Sequence, residues 1–200
     1  MEISGSTKDN PKLNISNTKN DKNSNENLSE STILKSKEEI TQIKNWISEK
    51  KNLNFKLLYK ASIDGDSILK FHEKCDNKGP TLIIIKIKTG YRFGGYNPLS
   101  WNVQNNYKED PLTFIFSLDK NKKYTIKENQ VQYSSFMDVG CFAFGNGFDF
   151  VIKDNCTQNN FSYSETPYSY NTNEECELTG GERNFTVDDY EVYSVEFLGD

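Results

Sequence analysis

The sequence predicts an α+β, mainly β fold: an antiparallel two-sheet β-sandwich flanked by two or more helices. Three observations lead there. From residue 81 onward, short β-branched and aromatic runs are separated by turn residues with no helical pattern between them, which favours antiparallel sheets folded on each other. The 13 Phe and 11 Tyr help bring aromatics to 13% of the chain, a share that a wholly disordered chain does not carry, and the first aromatic is Trp46. Finally, 200 residues fit one domain plus a tail, because single cores occupy roughly 100–200 residues.

Residues 1–32 read as a disordered Asn/Ser/Lys-rich tail. Over residues 1–30 the sizeable apolar side chains are only Met1, Ile3, Leu13, Ile15 and Leu28, too few to offset the entropy of ordering. The tail has no apolar core of a secretory signal, so a cytoplasmic location, with the nucleus also open, is expected. Residues 33–52 are expected to hold an amphipathic helix, in which Ser36 and Glu39 stand at capping-box spacing and Ile40, Ile43 and Ile47 recur at helical spacing beside Trp46. A helix this short is marginal alone, so its stripe is read as docking on the domain at 53–200.

That domain opens with a strand over 55–61, then Asp64-Gly65-Asp66-Ser67 as a turn and cap, then a helix whose Ile68, Phe71 and Cys75 share a face until Asn77-Lys78-Gly79-Pro80 stops it. Strands follow over 81–88 and 91–96 around the Thr89-Gly90 turn, then over 112–118, 124–126, 130–133, 141–144, 148–152 and 190–197. In the last of these, Tyr193, Val195 and Phe197 fall on one face.

Charge and residue counts narrow the chemistry. A net charge of −5 disfavours a general hold on nucleic-acid phosphate or acidic membrane. No run of about 20 apolar residues is long enough to cross a bilayer as a helix. His72 is the single histidine, which rules out sites that need two imidazoles; His72 and Cys75 lie one turn apart, but no second cluster supplies the further ligands Zn²⁺ takes. No metal or cofactor is expected. Cys75, Cys141, Cys156 and Cys176 contain no C-x-x-C pair and read as reduced thiols; Cys75 becomes peroxide-reactive only if His72 or a helix terminus lowers its pKa, and a buried structural thiol is the plainer reading. Gly79-Pro80 reads as a fixed helix-to-strand turn, and Gly94-Gly95 as a bend or close backbone approach. Gly145 and Gly147 lie between strands and open no helix, so they form no dinucleotide loop. Asp149 and Glu191 are a carboxylate pair if the sheets bring them face to face; partners of Arg92 and Arg183, or solvent-facing groups, are the plainer reading.

An ordered series of motifs resembles the TLDc domain family. Leu57-Leu58-Tyr59-Lys60-Ala61-Ser62 through Asp64-Gly65-Asp66-Ser67, and Phe71-His72-Glu73-Lys74-Cys75-Asp76 through Gly79-Pro80-Thr81, are similar to its opening. Gly90-Tyr91-Arg92-Phe93-Gly94-Gly95-Tyr96, Ser100-Trp101, Phe114-Ile115-Phe116-Ser117-Leu118, Gly145-Asn146-Gly147-Phe148-Asp149-Phe150, Ser162-Tyr163-Ser164 and Tyr190-Glu191-Val192-Tyr193 follow in the family's order. The stretch before Cys141 lacks a proline that relatives often have, and the acidic loop 171–177 is individual to this chain. The resemblance implies a β-sandwich flanked by helices and a non-enzymatic module of the oxidative-stress response that binds the V1 sector of the vacuolar proton-pumping ATPase. It places weight on His72, Cys75, Asp76, Gly79, Pro80, Gly94, Gly95, Trp101, Gly145, Gly147, Asp149 and Glu191. Two other readings remain: a thiol-dependent peroxide scavenger using Cys75 or Cys141, and a stress-responsive adaptor in the nucleus.

Overall fold

The computed structural model describes residue 1, residues 27–103 and residues 105–199. The tail expected over residues 2–26 lies outside the described residues. In chain order the elements are α1 (Lys37–Ile47), β1 (Asn52–Lys60), α2 (Ala61–Asp64), α3 (Ile68–Cys75), β2 (Thr81–Ile87), β3 (Arg92–Asn97), β4 (Asn106–Lys108), β5 (Phe114–Ser117), β6 (Lys122–Thr125), β7 (Ser135–Asp138), β8 (Cys141–Phe144), β9 (Phe150–Lys153), β10 (Ser162–Tyr163), β11 (Asn184–Phe185) and β12 (Val187–Leu198), with 3₁₀ turns at Asn27–Glu30 and Glu128–Tyr133. The strands form two six-stranded sheets, ordered β1-β12-β2-β3-β5-β6 and β11-β10-β9-β8-β7-β4, with antiparallel pairing throughout. The expected two-sheet sandwich is therefore the fold.

The unbroken apolar run of β2 explains how the layers stack. A strand with one face in water alternates polar and apolar residues, whereas Leu82-Ile83-Ile84-Ile85 does not and is buried along its whole length. Ile83, Ile85 and Ile87 point inward and meet Phe142, Phe144, Phe150 and Ile152 of the second sheet. Leu82 and Ile84 point the other way, into a second core with Tyr96, Phe114, Phe116, Tyr193 and Val195, which α1 and the residues before it cover through Leu28, Ile33 and Ile43. Ser36 caps α1 by accepting from the Glu39 N–H at 3.3 Å, and Ser67 caps α3 by accepting from the Lys70 N–H at 3.2 Å.

Two features depart from the expectations. The segment over 130–133 is part of a 3₁₀ turn, because Glu128-Asn129-Gln130 is polar and the Gln130 N–H closes onto the Lys127 carbonyl at 2.9 Å; the strand begins only at Ser135. The boundary placed at residue 32 falls within a packed segment, since Leu28 and Ile33 are buried and Ser31 and Thr32 bond into the domain.

Candidate functional site

Most of the residues singled out in the sequence build the interior. Trp101 lies among Phe71, Phe142 and Phe144 and donates its indole N–H to Thr81 Oγ1 at 2.8 Å. His72 has both ring nitrogens occupied: Nδ1 lies 3.1 Å from the Asp76 carboxylate oxygens, and Nε2 donates to the Asp138 carbonyl at 3.0 Å. It therefore joins α3 to the β7–β8 turn. Gly79 precedes the cis peptide to Pro80, and a Cβ on it would sit 2.5 Å from the Leu99 carbonyl oxygen. Gly94 lies as close to the Ile83 backbone, and Gly95 leaves the space that the Phe144 ring of the opposite sheet fills. Gly147, at positive φ, lies under the Tyr168 ring.

All four thiols are buried. Burial pushes Cys141 and Cys156 up to about 12 and drives Cys75 higher still, with Asp76 and Asp64 adding to the effect at Cys75. Among the described residues no cluster of three or more His, Cys, Asp or Glu side chains is placed to hold a metal ion. The thiol-based reading thus lacks the exposed, low-pKa thiolate that it needs.

Asp149, just before β9 of the second sheet, and Glu191, in β12 of the first, hold separate networks, and neither is a partner of Arg92 or Arg183. Arg92 pairs instead with Glu39 and Asp119, and Arg183 with Glu165. Asp149 accepts backbone N–H bonds from Tyr168, Ser169 and Tyr170 at 2.9, 2.7 and 3.2 Å, clamping the segment after the cis Thr166–Pro167 peptide. Burial raises its carboxyl to about 6 against the pull of those donors. Gly145, at φ +85°, makes room: a Cβ there would meet Asp149 Oδ2 at 2.0 Å. Glu191 accepts from Lys60 Nζ at 2.9 Å, the Thr32 N–H at 3.0 Å and Tyr193 Oη at 2.9 Å, and also from the Ser31 hydroxyl, tying the segment before α1 to β1 and β12.

Past the last turn of α1, the described residues leave the outer face of the first sheet open as a groove of about 390 Å³. Trp46 and Ile47 form one end, Tyr96 and Phe114 the floor, and Leu112 and Phe197 the exposed walls. Lys51 Nζ lies 5.3 Å from the Phe197 ring centre; Lys123 Nζ lies 4.9 Å from that of Phe114 and donates to the Trp46 carbonyl at 3.0 Å. Among the described residues neither ammonium has an ion-pair partner, unlike Lys120 and Lys122 nearby, which pair with Glu174 and Glu177.

Comparison with known proteins assigns this architecture. The sequence pattern of the TLDc domain matches residues 28–196. The chain belongs to the TLDc domain family. The match begins at Leu28, itself buried against the domain. Curated relatives include the MTOR-associated protein MEAK7 of Danio rerio, 31% identical over 64 residues, and that of Gallus gallus, 33% identical over 64 residues, each alignment covering 32% of this chain and 14% of the relative. The Mus musculus protein is 24% identical over 93 residues, 46% of this chain and 20% of the relative. The chain therefore spans a fifth or less of these relatives' length.

In this TLDc domain most motif residues set the sandwich, the turns and the clamps, while the motif residues Tyr96 and Phe114 also floor the open groove. The groove escaped sequence reasoning because it joins residues 46–51, 96, 111–125 and 197, which no spacing rule connects. The doubled apolar character of β2 was the available signal that a covered outer face existed at all.

Proposed function

We propose that this TLDc domain is a non-enzymatic interaction module of the oxidative-stress response that acts in the cytoplasm by binding the V1 sector of the vacuolar proton-pumping ATPase and modulating its assembly. The family match over residues 28–196 carries the reading. The closed chemistry of the interior supports it: four buried thiols, a histidine with both nitrogens engaged, and carboxylates committed to structural bonds leave surface recognition as the work available to the domain. Affinity purification of the full chain from cells with and without peroxide tests it. V1 subunits are expected in the purified complex; their consistent absence, with intact binding controls, refutes it. A second reading, association with mTOR, follows from the MEAK7 relatives, and the same purification scores it by recovery of mTOR.

A further inference from the structure

We infer that the groove at the end of α1 is a docking site for an acidic segment of a protein partner that carries a large apolar side chain among its carboxylates. This rests on the reading of the domain as an interaction module and names the chemistry of the partner it takes. The floor of the groove is a continuation of the core that α1 covers: Tyr96 and Phe114 belong to the same apolar cluster as Ile43, Leu82 and Phe116. An 11-residue helix is about 16 Å long, so α1 covers one part of the outer face and leaves the next part open. Leu112, 70% exposed, and Phe197, 42% exposed, offer a place for an apolar side chain.

The two lysines set the rest of the partner's chemistry. Among the described residues Lys51 and Lys123 line the groove, no carboxylate does, and neither ammonium is ion-paired, in a chain whose net charge is −5. A wholly apolar occupant would take both ammoniums out of water with no counter-charge, which is costly; an occupant with carboxylates beside its apolar anchor supplies one. Residues 2–26 contain four Lys and four Asp or Glu, so the chain's own preceding segment has no acidic excess to offer.

The test selects random peptides of about twelve residues, displayed on phage, against the full chain, with Leu112→Asp and Lys123→Glu variants as counter-targets. These positions are exposed, so both variants are expected to keep the wild-type melting curve. Recovered peptides are expected to combine Asp or Glu with Leu, Phe or Trp. Fluorescein-labelled copies are expected to bind the wild-type chain with a Kd that rises at least about tenfold in Lys123→Glu, Lys51→Glu and Leu112→Asp, and rises with salt. Recovery of peptides without acidic enrichment, or equal binding to the variants, overturns the inference. So does a concentration-dependent dimer abolished by Leu112→Asp, which gives the groove to a second copy, or a tenfold gain in peptide binding on deleting residues 2–26, which gives it to the chain itself. If the full chain captures no V1 while the acidic peptides bind as described, the pump reading fails and the groove assignment stands. If it captures V1 and the peptides show no charge preference, the groove assignment fails alone.

Discussion

Lys60→Met is expected to destabilise the domain by about 3–5 kcal/mol, because removing one member of a buried ion pair strands the other. The Lys60 and Glu191 side chains are 9% and 1% exposed, with Nζ 2.9 Å from Oε1. After the substitution Glu191 keeps only its bonds from Ser31, Thr32 and Tyr193. Glu191→Gln is milder, about 1–3 kcal/mol, since the charge goes while Lys60 retains Asp189 at 3.7 Å. The double variant is expected to cost less than the sum of the singles by about 1 kcal/mol or more. Urea unfolding at pH 7, followed by tryptophan fluorescence, measures all three. Additive single effects would refute the pairing argument.

The same network gives a pH signature. Burial alone would raise the Glu191 carboxyl, but Ser31, Lys60, the Thr32 N–H and Tyr193 together hold it below its ordinary value of 4.5. The folded state therefore binds this proton less readily than the unfolded chain. Its stabilisation is complete above about pH 4.5 and disappears as pH falls through the lower folded value. Asp149 runs the other way: raised from 3.8 to about 6, it makes the fold less stable as pH rises through that interval. The difference between wild type and Glu191→Gln isolates the Glu191 part and is expected to shrink on acidification below pH 4.5. A difference that stays constant there contradicts it.

Further outcomes follow from single contacts. Ile43→Ala opens a cavity beneath α1 and is expected to cost about 2–5 kcal/mol by equilibrium denaturation; a loss below about 1 kcal/mol would show that α1 is not seated on the outer face. Asp149→Asn puts an amide where one of three backbone donors now ends, so about 1–3 kcal/mol and faster hydrogen exchange at residues 168–170 are expected, and unchanged exchange there rejects the clamp. The four thiols are expected to react with maleimide only on unfolding; stoichiometric labelling of the native protein by mass spectrometry would reopen the thiol-based activity.

Much of the fold was legible because its longer elements carry strong local signals. The isoleucine run of β2, the Thr89-Gly90 turn and the Ser36 and Ser67 caps all lie where the sequence places them. The missed elements are short: α2 spans four residues, β4 three, and β10 and β11 two each, too few to establish a period. Residues 130–133 misled because Val131 and Tyr133 mimic strand alternation, while the turn chemistry of residues 127–130 decides the local backbone. The site was less legible. Glu191 read as a possible catalytic carboxylate, yet its role depends on Lys60, 131 residues away, and on Ser31, 160 residues away. Motif resemblance singles out Glu191 and Gly95 without saying what they do; their contacts are those of charge burial and close packing.

The strand order of the first sheet also governs when this protein can fold. β12, made last among the described strands, lies between β1 and β2, so β1 has no strand partner and β2 has only β3 until residues 187–198 exist. Asn52 pairs with Leu198 and Lys60 with Glu191, contacts that close very long loops. During synthesis, β1 must therefore wait unpaired, and β2 with one edge open, until residues 187–198 have been made and the outer core can close. Such topology places folding in the slow, milliseconds-to-seconds range of non-local β proteins, and makes the emerging chain, rather than the finished domain, the form most exposed to aggregation.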